Sequence, residues 1–371
     1  MHKLMGRAVW GLSLAGMAFF TPTAVFAAEQ GSDVPDGVVN AQSAVVLKSL
    51  AAFPVGVAVS AGDERRSLFK KTDQQALINR QFNSLVAANI MKMRYLHPAE
   101  NRFTFDDADA LANYAKEHGM ILHGHALVWH PDYQVPAWMK NYSGDWDAML
   151  NNHVEQIVRH FAGRVASWDV ANEVIDEKVP ASYRPSLFYQ KMGKSYIEKA
   201  FIAAHAADPA ADLYYNDFNT ESVQSKLDFM LGMIDDFKAR QIPIHGIGFQ
   251  MHVDVDYPSI AQIRKSFKAV ADRGLKVRIS ELDVAVNKHK NLTSLTPAVA
   301  MAQKARYKEI VTAYLEEVPA AQRGGITFWG VIDGETWLSS FHKRAEWPLL
   351  FKDDYTTKPA FDGVVEALTG K

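Results

Sequence analysis

Two glutamates, Glu173 and Glu281, each stand at the end of a run that begins apolar and turns polar: VASWDVANE from Val165, and KVRISELD from Lys276. A carboxyl in such a place is by default a helix cap or a solvated charge. A pair of them on separate strand ends offers more. One carboxyl can protonate a leaving oxygen while the other attacks an anomeric carbon or activates water, which is the chemistry of retaining or inverting glycoside hydrolysis.

Other runs end in the same polar fashion: Asn89 and Lys92; His125, Trp129 and His130; Asn172 beside Glu173; Asn216 and Asp217; Gln250 and His252; Asp283 after Glu281; Trp329, with Trp337 beyond it. Indoles give flat apolar faces for sugar rings, while amide, imidazole and ammonium groups can hydrogen-bond hydroxyls. Glu281 and Asp283 share a face of an extended strand, and so do Gln250 and His252. A network Asp283–His252–Glu281 is therefore expected to hold Glu281 ionised and oriented. His123, His125 and His130 could suggest zinc, but no third carboxylate ligand accompanies them in the pattern of barrel metal-hydrolases. Neither metal nor cofactor is expected. Asn216 and Asp217 fit either hydrogen-bonding support from behind the carboxylates or a purely structural role. His130 is expected to bond backbone, Trp138, Trp146 and Trp168 to pack, and Asp254 and Asp256 to sit in a turn.

The elements that must position these groups alternate. Expected strands cover Phe53–Val59, Asn89–Tyr95, Met120–Trp129, Val165–Glu173, Leu213–Asn216, His245–Gln250, Lys276–Glu281 and Gly325–Gly330. Between them lie helical patterns, the first opened by a capping box at Thr72–Gln75 and running to about Ala87, the second capped by Asp106. One long helix is expected over Leu187–Ala207, and a short one over Val38–Ala51 packs on the base. Eight strand–helix units predict α/β class, a single (β/α)8 TIM barrel with its site at the C-terminal strand ends. No GxGxxG follows the first strand, which argues against a dinucleotide fold.

Composition is ordinary for a globular chain: 371 residues, 48% hydrophobic and 22% charged, with no cysteine for disulfides. A net charge of −2 gives no reason to invoke nucleic acid or an anionic membrane. Lys3 and Arg7 precede an apolar run from Ala8 to Phe20, and Val25-Phe26-Ala27 supplies small residues for a peptidase. Residues 1–27 are expected to be a secretory signal peptide, leaving 28–371 as a monomeric catalytic domain in the periplasm or outside the cell, with no membrane contact after cleavage.

WDVANE resembles the acid/base segment of family 10 glycoside hydrolases, the endo-β-1,4-xylanases, and ISELD resembles their nucleophile segment. GHALVWH, YYNDFN, GFQMHV, ITFWGVIDGETWL, PLLF and KPAF match further segments in the family's order. The resemblance implies a retaining endo-β-1,4-xylanase acting on xylan and xylo-oligosaccharides by double displacement. Glu173 would be the acid/base and Glu281 the nucleophile. Asn172 would bond the 2-hydroxyl of the −1 sugar; Asn89, Lys92, His125 and Trp129 would serve the glycone sugars. Gln250 and His252 would surround the nucleophile, and Trp329 and Trp337 would wall the −1 subsite, with Asp283 and Asn216 behind.

One segment departs from that pattern. Where the family reads close to ENxMKWDxxEP, this chain has Ala88 for the glutamate and Met93-Arg94 for Trp-Asp. Phe218 stands where the family often has tyrosine. With Ala88 in place of that glutamate, its acceptor is lost, which predicts weaker glycone-side binding, by about 1 kcal/mol for a neutral partner. Two other readings stay open: another retaining barrel glycosidase, on β-glucan or β-mannan or exo-acting on xylo-oligosaccharides, and a non-catalytic carbohydrate-binding barrel.

Overall fold

The structure, a computed structural model, describes residues 44–62 and 65–371. The expected signal peptide lies outside the described residues. Of the helix expected over Val38–Ala51, the described part holds only a 3-10 turn, Leu47–Ser49.

Eight parallel strands form the barrel: β1 (Val55–Val59), β2 (Ser84–Ala87), β3 (Ile121–Trp129), β4 (Ser167–Asn172), β5 (Asp212–Asp217), β6 (Gly246–Phe249), β7 (Lys276–Ala285) and β8 (Arg323–Phe328). Each pairs with the next, and β8 closes on β1 through Val55↔Ile326 and its neighbours. A short extra strand, His252–Asp254, pairs with the far end of β7 at Asp283–Ala285. β1, β2, β4 and β6 are buried at every position, as parallel strands covered on both faces must be.

The helices are built to cover them. Trp146–His160 buries Met149, Leu150, His153, Val154, Ile157 and Val158, a stripe with the 3.6-residue period. Each large aliphatic side chain so buried contributes about 1.5–3 kcal/mol. Asp145 caps this helix, accepting from Asp147 N at 2.9 Å and Ala148 N at 3.1 Å. Between β3 and β4 the fit is tight at Gly124, where an added Cβ would lie 2.1 Å from the Trp168 ring.

The second strand is displaced from its expected place. It lies at Ser84–Ala87, registered Gly56↔Ser84 on β1 and Ser84↔Ile121 on β3. Four buried residues directly after a helix carry no period of their own, so the helical pattern runs on through them in sequence, although the helix stops at Gln81. Asn89 and Lys92 thus belong to the loop beyond β2, which continues into a short helix, Met93–Leu96. Thr72–Gln75 forms no capping box: Lys71 is the N-cap, and Gln75 Nε2 donates to Leu68 O at 2.9 Å. Asp106 is the first helical residue after Phe105, not the cap. Leu187–Ala207 is two helices, Leu187–Met192 and Ser195–Ala207, separated at Gly193 with φ +60°. No described helix is long and apolar enough to cross a membrane.

Candidate active site

β4 ends at Asn172, and Glu173 follows it with φ +57°, in the left-handed region. Strict alternation would point these two side chains to opposite faces. A register irregularity between Asp169 and Ala171, followed by the left-handed turn, brings both to the barrel mouth. There Asn172 Nδ2 donates to Glu173 Oε1 at 3.2 Å. A non-glycine residue held at positive φ costs on the order of 1–3 kcal/mol. The turn is fixed from both sides: Glu173 N donates to Asn216 O at 2.9 Å, and Arg184 Nε donates to Glu173 O at 3.0 Å. The Glu173 carboxylate accepts from Trp129 Nε1 at 2.8 Å on Oε2 and from Gln250 Nε2 at 2.9 Å on Oε1.

Glu281, on β7, is only 4% exposed. Its Oε1 accepts from Asn216 Nδ2 at 2.8 Å, and its Oε2 lies 3.3 Å from His252 Nε2. His252 Nδ1 is 3.0 Å from Asp283 Oδ2, which also accepts from Trp337 Nε1 at 2.9 Å. The same Asn216 nitrogen reaches Asn172 Oδ1 at 2.9 Å, while Asn216 Oδ1 accepts from Ser280 Oγ at 2.6 Å. A continuous chain therefore links the carboxylates: Glu281, Asn216, Asn172, Glu173. Asn216 fits because Gly248 faces it in β6; a Cβ there would stand 2.3 Å from its Oδ1.

Electrostatics sharpen the pair. Burial alone would raise Glu281; the His252 hydrogen bond, the charges of His125 and His252 and the Asn216 amide outweigh it and hold the carboxyl below its usual range. Burial would lower His252, but Asp283 and Glu281 overturn that and push the imidazole up to about 10. A cation between two carboxylates is what keeps Glu281 ionised. Gln250 and His252 serve different carboxylates, not one face. Met251 between them has φ +61°, which re-aims the chain beyond the end of β6.

The remaining expected residues border this network. The Lys92 ammonium lies 4.7 Å from the Trp129 ring centroid and 3.5 Å from Asn89 Oδ1. His125 Nδ1 is 2.8 Å from Asp169 Oδ2, and the His125 ring meets Trp329 edge-on at 5.5 Å. Phe218 covers the Lys226 ammonium at 3.9 Å. His130 departs from expectation: its Nδ1 is buried with no hydrogen-bond partner and lies 4.0 Å from Glu173 Oε2. Burial, then the Arg184 charge, pushes this imidazole down to about 4. Trp168 is fully buried as packing. Among the described residues no cluster suits a metal ion; His123 and His125 both face Asp169.

Asp169, Ser280 and Arg184 escaped sequence reasoning. A buried acid inside a strand is itself a signal, which Asp169 carried. Nothing near Arg184 in sequence announces that it grips Glu173 from a loop.

The chain matches the family model for Glycosyl hydrolase family 10 over residues 46–367. It is 49% identical over 341 residues to endo-beta-1,4-xylanase Xyn10C of Cellvibrio japonicus, covering 86% of this chain and 56% of that protein. Endo-1,4-beta-xylanase A of Cellvibrio japonicus (strain Ueda107) is 43% identical over 347 residues, covering 88% and 57%. The chain thus spans just over half the length of these curated relatives. Among solved structures, a variant of xylanase 10C from Cellvibrio japonicus in complex with xylopentaose superposes with a TM-score of 0.85 at 48% identity, covering 88% of this chain and 69% of that one.

Proposed function

The chain belongs to glycosyl hydrolase family 10, and from that membership we propose that it is a retaining endo-β-1,4-xylanase. Glu281 attacks the anomeric carbon of the −1 xylose while Glu173 delivers its proton to the leaving glycosidic oxygen. The C–O bond to the aglycone breaks and a glycosyl ester forms on Glu281. Glu173, now a carboxylate, takes a proton from water, whose oxygen attacks the same carbon, releases Glu281 and leaves the configuration retained.

One observation carries this reading: the Glu281–Asn216–Asn172–Glu173 chain orients both carboxylates, and His252 keeps Glu281 charged. Asn172 serves the 2-hydroxyl of the −1 sugar, with Gln250 and His252 beside it. Trp329 and Trp337 form the wall of that subsite, and Asn89, Lys92, His125 and Trp129 take the glycone side. The names of the similar proteins support xylan as substrate.

Digestion of xylan, mannan and cellulose tests the assignment. A rapid fall in xylan viscosity with modest reducing-sugar release supports internal cleavage of xylan. Release of xylose alone from chain ends, preference for mannan or cellulose, or no release would replace it. Export with loss of residues 1–27 is part of the proposal; an intact mass of secreted protein beginning elsewhere than Ala28 corrects it.

A further inference from the structure

The loop after β2 gives its side of the cleft rim an unpaired cation. Arg94 is exposed. Its Nη1 donates to Tyr133 O at 2.9 Å, and its guanidinium lies 5.6 Å from the Tyr95 ring. No carboxylate pairs with it among the described residues; the nearby Asp132 is taken by Lys140 at 2.7 Å. Arg94 is joined to the site through one residue. Tyr133, 62% exposed, sets its ring edge-on to Trp129 at 6.0 Å, and Trp129 holds Glu173. Met93, the neighbour of Arg94, accepts from Trp129 N through Sδ at 3.2 Å. The guanidinium is therefore anchored to the segment that follows Trp129 at the end of β3, two residues beyond Lys92, with its remaining N–H groups left for solvent or ligand.

Charge makes the position informative. Of the acids in the resembled pattern, one is neutral here (Ala88) and another is basic (Arg94). Lys92 is common to both, so at Ala88 and Arg94 this rim loses two negative charges and gains one positive charge. A neutral xylose unit gains little from such a change; an anionic branch gains a charge-assisted, bidentate partner.

We propose that Arg94 determines specificity by binding the carboxylate of a uronic-acid branch carried on a glycone-side sugar. This inference rests on the xylanase reading above. The side chain acts on branched substrate only; the cleavage chemistry is untouched.

The test compares glucuronoxylan, the same polymer with its uronic acids reduced to neutral sugars, and linear xylohexaose. Wild-type kcat/KM is expected to favour the charged polymer over its reduced form. That ratio should fall about fivefold in Arg94→Ala, in line with an exposed ion pair, and further in Arg94→Asp. Added salt should erase the wild-type preference. Arg94→Gln, which keeps a polar side chain without the charge, should behave like Arg94→Ala. If all substrates decline in step, or if the ratio is unmoved, Arg94 merely holds Tyr133 and the proposal fails. Linear xylohexaose reports on the xylanase reading separately: without its hydrolysis by the wild type, that reading falls, whatever Arg94 does.

Discussion

Asn216 donates to Glu281 Oε1 at 2.8 Å through the same amide nitrogen that lies 2.9 Å from Asn172 Oδ1. One buried side chain on β5 therefore ties Glu281 to Asn172, the neighbour of Glu173. Asn216→Ala would leave Glu281, Asn172 and the Ser280 hydroxyl short of a partner each. An orphaned buried polar group costs about 1–3 kcal/mol, so kcat/KM on xylotetraose should drop roughly 10- to 100-fold. Unchanged kcat/KM in a folded Asn216→Ala enzyme would remove Asn216 from the account.

The charge on His252 should be visible in the pH dependence of stability. Its folded value, about 10, lies above the ordinary 6.5. The stabilisation it gives is therefore complete below about pH 6.5 and is lost as pH rises through about 10. Glu281 is displaced downward, so its contribution is present above the ordinary carboxylate range and lost as pH falls. Urea midpoints measured across the alkaline range should decline for the wild type and stay flatter for His252→Gln. Parallel decline of both proteins would contradict a charged His252.

Arg184 grips Glu173 O, Ile175 O and the Glu177 carboxylate together. Arg184→Ala should loosen the left-handed turn at Glu173 and displace its carboxyl. Because activated aryl xylobiosides need no proton on departure, they should lose at most a few-fold. Xylan hydrolysis should lose about 10- to 100-fold, a typical share of acid catalysis. Equal losses on both substrates would mean that Arg184 acts on the fold in general.

Lys226 and Asp217 form a fully buried pair at 2.8 Å, with the Tyr215 hydroxyl also on Asp217. Burial still pushes Asp217 up to about 6 against the pull of Lys226. Lys226→Met should destabilise the protein by about 3–5 kcal/mol, and Asp217→Asn in the same chain should recover much of that. A single variant as stable as the wild type in urea unfolding would show the pair to be dispensable.

The barrel was legible because its strand–helix alternation is strong and ends such as the Thr296 cap and Pro297 of the helix Pro297–Glu317 are marked by residue type. β2 was not, since four buried residues abut a helix. The carboxylates, amides and indoles at the barrel mouth were legible by type, but not their aim. Glu173 and Met251 depend on positive φ at non-glycine residues, which no local pattern announces. Asn216 was ambiguous until Gly248, opposite it, made room for its side chain. Arg184 acts across a loop, and only tertiary contact reveals it.

The proposed roles are attack on the sugar carbon by Glu281 and assistance to departure by Glu173. Azide rescue of Glu281→Ala tests them most directly, using an aryl β-xylobioside and NMR of the product. Turnover should fall by several orders of magnitude and be partly restored by azide with formation of the α-xylobiosyl azide. Near-normal turnover without azide, or a β-azide product in this variant, would contradict these roles.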